Sequence, residues 1–171
     1  MTDSADSLAT LANPVLDARM LIGVISDTHG LLRPEALDAL AGIEHIIHAG
    51  DIGSPEIVPR LGEIAPVTAI RGNVDTQAWA QGFPPWELVT LAGHMIYIIH
   101  DLGELDIDPV AAGFDMVVFG HSHMPKTETR QGVLYLNPRS AGPRRFRLPI
   151  TIATIDLEAV PLEPKIRRIV A

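Results

Sequence analysis

Five short apolar runs, each ending in side chains that suit a metal ion, constrain this chain more than any other feature of it. Leu21–Ile25 leads to Asp27 and His29, His45–His48 to Gly50-Asp51, and Val67–Ile70 to Gly72-Asn73. Met95–Ile99 leads to His100, and Met116–Phe119 to Gly120-His121-Ser122-His123. In open α/β folds ligands sit outside the carboxyl ends of the strands, so five strand ends can share one crevice. The donors are Asp27, His29, Asp51, Asn73, His100, His121 and His123, all nitrogen or oxygen. That is too many for one tetrahedral zinc. It suits two ions sharing a carboxylate, as in sites that attack phosphorus. The expected class is therefore a dinuclear metallohydrolase.

The rest of the chain supports an α/β reading. Pro34–Ala41 opens with Pro and Glu in its first turn, as helices do. Ser54 is the expected N-cap of a second helix running to about Ile64, with Pro59 tolerated near its start. Asp108–Gly113 reads as a single turn ended by glycine. Beyond these the pattern shifts to closely spaced strands at Glu87–Leu91, His94–Ile99, Val133–Leu136, Ile150–Ile155 and Ile166–Val170, with Ala92-Gly93 as a hairpin turn. Alternation followed by hairpins predicts two packed sheets with helices outside them. Thr76–Pro85, rich in Gly and Pro, reads as a loop over the site mouth.

With 171 residues and 47% apolar content, the chain is long and apolar enough for one domain, expected over residues 20–171. Residues 1–19 read as a poorly ordered amino-terminal extension without the basic start or apolar stretch of a secretory signal. No run approaches the roughly 18 to 20 apolar residues needed to cross a bilayer, so no membrane partner is expected. The absence of cysteine excludes disulfides and thiolate sites and is compatible with a reducing cytoplasm, the expected location. A net charge of −8 argues against bulk nucleic-acid binding, yet bound cations can reverse the field at a phosphate site. A homo-oligomer is compatible with the sequence.

Within the donor set, Asp27-x-His29 puts two ligands on one face if the chain is still extended there. Gly50 before Asp51 allows the close backbone approach that a bridging carboxylate needs. His121-x-His123 repeats the spacing of two, which serves one ion each or one ion jointly. The mixture of imidazole, carboxylate and amide fits manganese best, with iron, zinc and nickel as alternatives. His45 and His48 match no motif and read as structural, and His94 as exposed. Asp75 either supports the site from behind or simply forms a turn. Arg139, Arg144, Arg145 and Arg147 read either as a solvated loop or as the source of a contact to a substrate phosphate, with Arg144 the first candidate and Arg139 the second, because guanidinium binds phosphate bidentately. Trp79, Phe83 and Trp86 either line a substrate pocket or pack elsewhere.

Asp27-x-His29, Gly50-Asp51, Gly72-Asn73-x-Asp75, His100 and Gly120-His121-x-His123 together resemble the calcineurin-like metallophosphoesterases. Ser26-Asp27-Thr28-His29-Gly30 and Asn137-Pro138-x-Ser140 are similar to its small bacterial and archaeal phosphodiesterase branch, which includes the retromer subunit Vps29. The resemblance covers about Met20 to Arg147. It implies a four-layer αββα sandwich in which two mixed β-sheets are flanked by helices. It also implies a first ion on Asp27, His29, Asp51 and His123, and a second on Asp51, Asn73, His100 and His121. Asp51, Asn73 and His100 would then be the catalytic residues, with a hydroxide between the ions attacking a small or nucleotide-like phosphoester in line. The alternative it implies is a Vps29-like protein-binding scaffold with a vestigial metal site. A serine hydrolase is excluded, as no Gly-x-Ser-x-Gly occurs.

The chain departs from that pattern in three places. Val74 follows the Asn where many relatives carry a proton-donating histidine. Leu102 stands where a second histidine often follows His100, leaving Asp101 to orient a ligand histidine instead. Arg139 replaces a common glycine. Without a general acid, esters with acidic leaving groups should be preferred.

Overall fold

Each apolar run becomes a strand where its side chains can alternate between two buried faces. The computed structural model describes residues 19–144 and 148–170. In chain order its elements are β1 (Leu21–Ile25), α1 (Pro34–Ala39), β2 (His45–His48), α2 (Ile57–Gly62), β3 (Val67–Ala69), β4 (Trp86–Leu91), β5 (His94–Ile99), β6 (Met116–Val118), β7 (Lys126–Arg130), β8 (Val133–Asn137), β9 (Ile150–Asp156) and β10 (Lys165–Val170). Short 3₁₀ turns occupy Ala78–Gly82 and Leu102–Glu104.

The strands form two five-stranded mixed sheets, ordered β10-β9-β1-β2-β3 and β4-β5-β6-β8-β7. β1, β2 and β3 run parallel because a helix returns the chain after each of the first two. β5, β6 and β8 run parallel in the second sheet. Ile22, Val24, Ile47, Ile96, Ile98, Met116 and Val118 fill the space between the sheets. α1 and α2 cover the outer face of the first sheet with Ala36, Leu40, Ile57 and Leu61. The outer face of the second is covered thinly, by Phe114 stacked on Tyr97 and by Leu102 and Leu105 from the 3₁₀ segment. The sandwich is therefore the one expected, with its helical layer concentrated on one side.

Several boundaries differ for local physical reasons. α2 begins at Ile57, capped by Glu56 without a side-chain bond, so Ser54 is not its N-cap. α1 stops at Ala39, because Leu40 closes the helix and Gly42 takes a left-handed φ of 77°. β7 gave no apolar signal, since Lys-Thr-Glu-Thr-Arg is a polar edge strand held by its ladder with β8. The Ala92-Gly93 hairpin has φ of 48° and 80°, the paired left-handed residues of a two-residue turn. Gln131-Gly132 repeats this between β7 and β8. The extension at residues 1–19 falls outside the described residues except for Arg19. No helix among the described residues is long and apolar enough to cross a membrane.

Candidate metal centre

The loops leaving β1, β2, β3, β5 and β6 are stitched together by backbone hydrogen bonds at one end of the sandwich. Asp27 N–H donates to Gly50 C=O, His29 N–H to Asp51 C=O and Gly30 N–H to Ile52 C=O, at 3.0, 3.0 and 2.8 Å. Gly120 N–H donates to His100 C=O at 3.0 Å. These bonds hold the donor-bearing residues in an unusual conformation. Asp27, His29, Asp51, His121 and His123 all have φ between 45° and 62°. Left-handed backbone at non-glycine residues costs of order 1–3 kcal/mol each and persists where the surroundings over-determine it. The extended Asp27-x-His29 geometry expected from spacing is therefore corrected: β1 ends at Ile25, and the two side chains converge through a left-handed turn.

All seven predicted donors gather here. His29 Nε2 lies 3.8 Å from both Asp27 Oδ1 and Asp51 Oδ2, and His123 Nε2 lies 3.6 Å from Asp27 Oδ1. The His29 and His123 rings stack with centroids 5.5 Å apart. On the other side His100 Nε2 is 3.2 Å from Asp51 Oδ2, and His121 Nδ1 is 3.1 Å from Asn73 Oδ1. His121 is the most exposed of the four histidines, with Asp101 Oδ2 3.7 Å from its Nε2. One group of donor atoms is Asp27, His29 and His123, and a second is Asp27, Asp51 and His100, each within 4.8 Å.

Burial and bonding show what the centre lacks. Asp27 Oδ1, His29 Nε2 and His100 Nε2 are buried without a hydrogen-bond partner among the described residues. Such atoms are rare in native interiors, and cations held by the two donor groups would satisfy all three. Ser26 Oγ donates to Asp27 Oδ2 at 2.7 Å, leaving Oδ1 turned into the site. His100 Nδ1–H donates to Ala49 C=O at 2.7 Å, so Nε2 presents its lone pair towards the Asp51 carboxylate. Two acceptors 3.2 Å apart repel unless a cation or a proton stands between them. Burial pushes the Asp51 carboxyl up, but the His100 ring and the Val74 amide outweigh it and hold it below its ordinary value. Burial likewise pushes His100 down, and Asp51 with the Ala49 carbonyl more than reverses this. The donors therefore fit divalent cations, which would compete with protons for the same atoms.

Glycines give the site its closeness. A Cβ on Gly72 would strike the Asp51 carboxylate and amide, and one on Gly50 would enter the His100 ring. Asp75 is no mere turn residue. Its buried carboxylate accepts from the amides of Ile52, Gly53 and Gly72 at 2.9, 2.8 and 2.8 Å, tying the Asp51 loop to the Asn73 loop. His48 is structural, as expected. It accepts from Gly50 N–H at Nδ1, so Nε2–H donates to Thr28 Oγ1, which in turn donates to Ile52 C=O. Its full burial, the dominant influence, pulls its pKa down to about 4. Sequence reading missed the relay because nothing local marks a threonine whose partners lie twenty or more residues away, and it missed Ser26 because a bond to the adjacent Asp27 leaves no signature in spacing.

Other expectations shift. His45 pairs with Thr68 Oγ1 at 2.8 Å. His94 is half-buried rather than exposed, because Nε2–H donates to Leu157 C=O at 2.9 Å. The segment 76–85 lies beside the site rather than over it: Trp79 and Phe83 pack on the α1–α2 core, and Trp86 stacks on Tyr97. Only Pro85 of that segment lines the pocket formed by Arg71, Asn73, His100, Asp101 and His121. Arg144 is exposed, whereas Arg139 is buried, and both border a small cavity with His123. Arg145 and Arg147 lie outside the described residues.

Comparison with known proteins agrees with this geometry. Residues 20–160 match the calcineurin-like phosphoesterase superfamily domain. A probable metallophosphoesterase of Methanothermobacter thermautotrophicus is 34% identical over 157 residues, covering 84% of this chain and 91% of that protein. The phosphodiesterase YfcE of Escherichia coli K12 is 29% identical over 156 residues, covering 77% of this chain and 84% of the relative. The crystal structure of Chaetomium thermophilum Vps29 superposes with a TM-score of 0.74 at 19% identity over 87% of this chain and 88% of that one, a likeness of fold.

Proposed function

The chain belongs to the calcineurin-like phosphoesterase superfamily, and within it we propose that this protein is a phosphodiesterase acting on a small or nucleotide-like phosphoester with two divalent cations. One observation carries the reading: three buried donor atoms without partners among the described residues, Asp27 Oδ1, His29 Nε2 and His100 Nε2, enter from the β1 and β5 loops into two adjoining donor groups that share Asp27. Asp27, His29, Asp51 and His123 would hold one ion, and Asp51, Asn73, His100 and His121 the other. Asp51 Oδ2 lies within 3.8 Å of His29 Nε2 and 3.2 Å of His100 Nε2, so one carboxylate reaches both sides. Asp27 Oδ1 also stands near both groups, and each carboxylate has its other oxygen committed, Asp27 Oδ2 to Ser26 Oγ–H and Asp51 Oδ1 to Val74 N–H; the shared role is given to Asp51 by the family resemblance. The donor mixture favours manganese. When bound, such a pair acidifies a water and neutralises charge on the phosphoryl oxygens.

The chain's own residues account for the rest. Ala49 fixes the His100 tautomer, and Asp75 fixes the loops that present Asp51 and Asn73. Val74 is exposed and offers no proton to a departing alkoxide, so the leaving group must carry its own charge well. The test is metal-reconstituted protein and Asp51→Asn assayed on a panel of phosphomonoesters and diesters. Hydrolysis of diesters by the parent, reduced at least 100-fold by Asp51→Asn, is expected. Equal activity in both would refute the shared-carboxylate reading, and inactivity in both would favour a protein-binding scaffold with a vestigial centre.

A further inference from the structure

One charged side chain near the centre is buried with nothing to answer it. Arg139 is 7% exposed, and its guanidinium has no hydrogen bond or ion pair among the described residues. Burial is the one influence acting on its titration, and it lowers the pKa. A guanidinium nevertheless stays protonated, so a partly desolvated charge sits there with no protein partner among the described residues. The backbone adds a second cost, since Arg139 has a φ of 72°, where glycine would be relaxed. Both costs fall at one residue, and neither contributes to the core.

The surroundings place the Arg139 backbone beside the metal centre. Arg139 N–H donates to Asn137 Oδ1 at 2.8 Å, and Asn137 Nδ2 donates to Gly120 C=O and Ser122 Oγ at 2.8 and 3.1 Å. The next residue, Ser140, donates from Oγ to Asp27 C=O at 3.0 Å, and Ala141 N–H donates to Ser26 C=O. Arg139 is thus pinned between the loop carrying Asp27 and His29 and the loop carrying His121 and His123. Its side chain lines the small cavity that also touches His123. Asn137 and Ser140 fix the loop, so little ordering remains to be done when an anion arrives.

We propose that Arg139 is a substrate-specificity residue, a pre-set cation that receives a phosphate oxygen of the substrate on the His123 side of the centre. Guanidinium presents paired N–H donors that match two phosphate oxygens. The proposal takes the identity of the anion from the phosphoesterase reading, but the binding itself needs no metal.

The test uses the full-length, metal-free protein with inorganic phosphate as the probe and sodium chloride at equal ionic strength as the control. Phosphate should raise the melting temperature of the parent and bind measurably by calorimetry. Arg139→Gly should weaken that binding at least ten-fold, and Arg139→Lys should restore part of it. Without phosphate, Arg139→Gly should melt above the parent, because it removes both the strain and the bare charge. Reloaded with metal, it should show a raised KM for bis(p-nitrophenyl) phosphate with a smaller change in kcat. Equal phosphate binding by Arg139→Gly, no phosphate binding by the parent, or a lower melting temperature for Arg139→Gly would each overturn the proposal. A parent that binds phosphate but hydrolyses no ester after metal loading would overturn the hydrolase reading instead, leaving the anion site standing.

Discussion

Asp75 lies behind the centre, and its removal should cost the protein more than that of most buried polar residues. Its carboxylate is 2% exposed and answers three backbone amides, those of Ile52, Gly53 and Gly72. In Asp75→Ala these donors lose a charged acceptor. The Ile52 amide is buried and bears the full penalty of an unsatisfied donor, about 1–3 kcal/mol. Gly53 is exposed and Gly72 half-buried, so water repays part of their loss, leaving about 0.5–1 kcal/mol each. The sum is about 2–5 kcal/mol, or about 4–20 °C in Tm for a chain of this size. Asp75→Asn keeps one acceptor oxygen and should lose about half as much. Urea unfolding of metal-free protein measures the cost directly, and manganese titration of the same variants should show affinity reduced ten-fold or more as the two loops drift apart. A loss below 1 kcal/mol for Asp75→Ala would refute the claim that this carboxylate holds the loops.

Two further outcomes follow from named residues. His48 is held near pKa 4, below its unfolded value of about 6.5, so the unfolded chain takes up a proton first as pH falls. Stability should therefore decline as pH drops from about 6.5 to 4, by roughly 3 kcal/mol. Urea midpoints across that range should fall less steeply for His48→Gln than for the parent, and parallel profiles would exclude His48 as the source. Val74 predicts a steep rise in diesterase rate as the leaving-group pKa falls. Val74→His should flatten that dependence by accelerating the poorest leaving groups by about 10²-fold, and a flat parent profile would contradict the missing-acid account.

Much of the site was legible because its signals are local. An apolar run followed by Asp, Asn or His marks a strand that ends at a polar site, and this needs no knowledge of distant residues. Seven donors in five such places also constrained the chemistry, since their number and hardness exclude a single thiolate or tetrahedral site. The strands, the hairpin at Ala92-Gly93 and the order of the ligands came from the same periodicities. β7 escaped because an edge strand of Lys-Thr-Glu-Thr-Arg has no buried face to betray it.

What tertiary structure alone decided is how the donors face one another. Asp27 and His29 meet through left-handed backbone that the extended reading of their spacing could not anticipate, because the Gly50, Asp51 and Ile52 carbonyls that impose it lie over twenty residues away. The same holds for Asp75, whose role depends on which amides reach it, and for Arg139, which in sequence was one arginine among four. Burial singled it out from the exposed Arg144, and burial is a property of the packed chain. The sequence determined the inventory of chemistry and its order along the chain, because residue type and short-range periodicity are local. The fold determined which atoms are left unsatisfied, because desolvation and hydrogen-bond partnership exist only once distant segments come together.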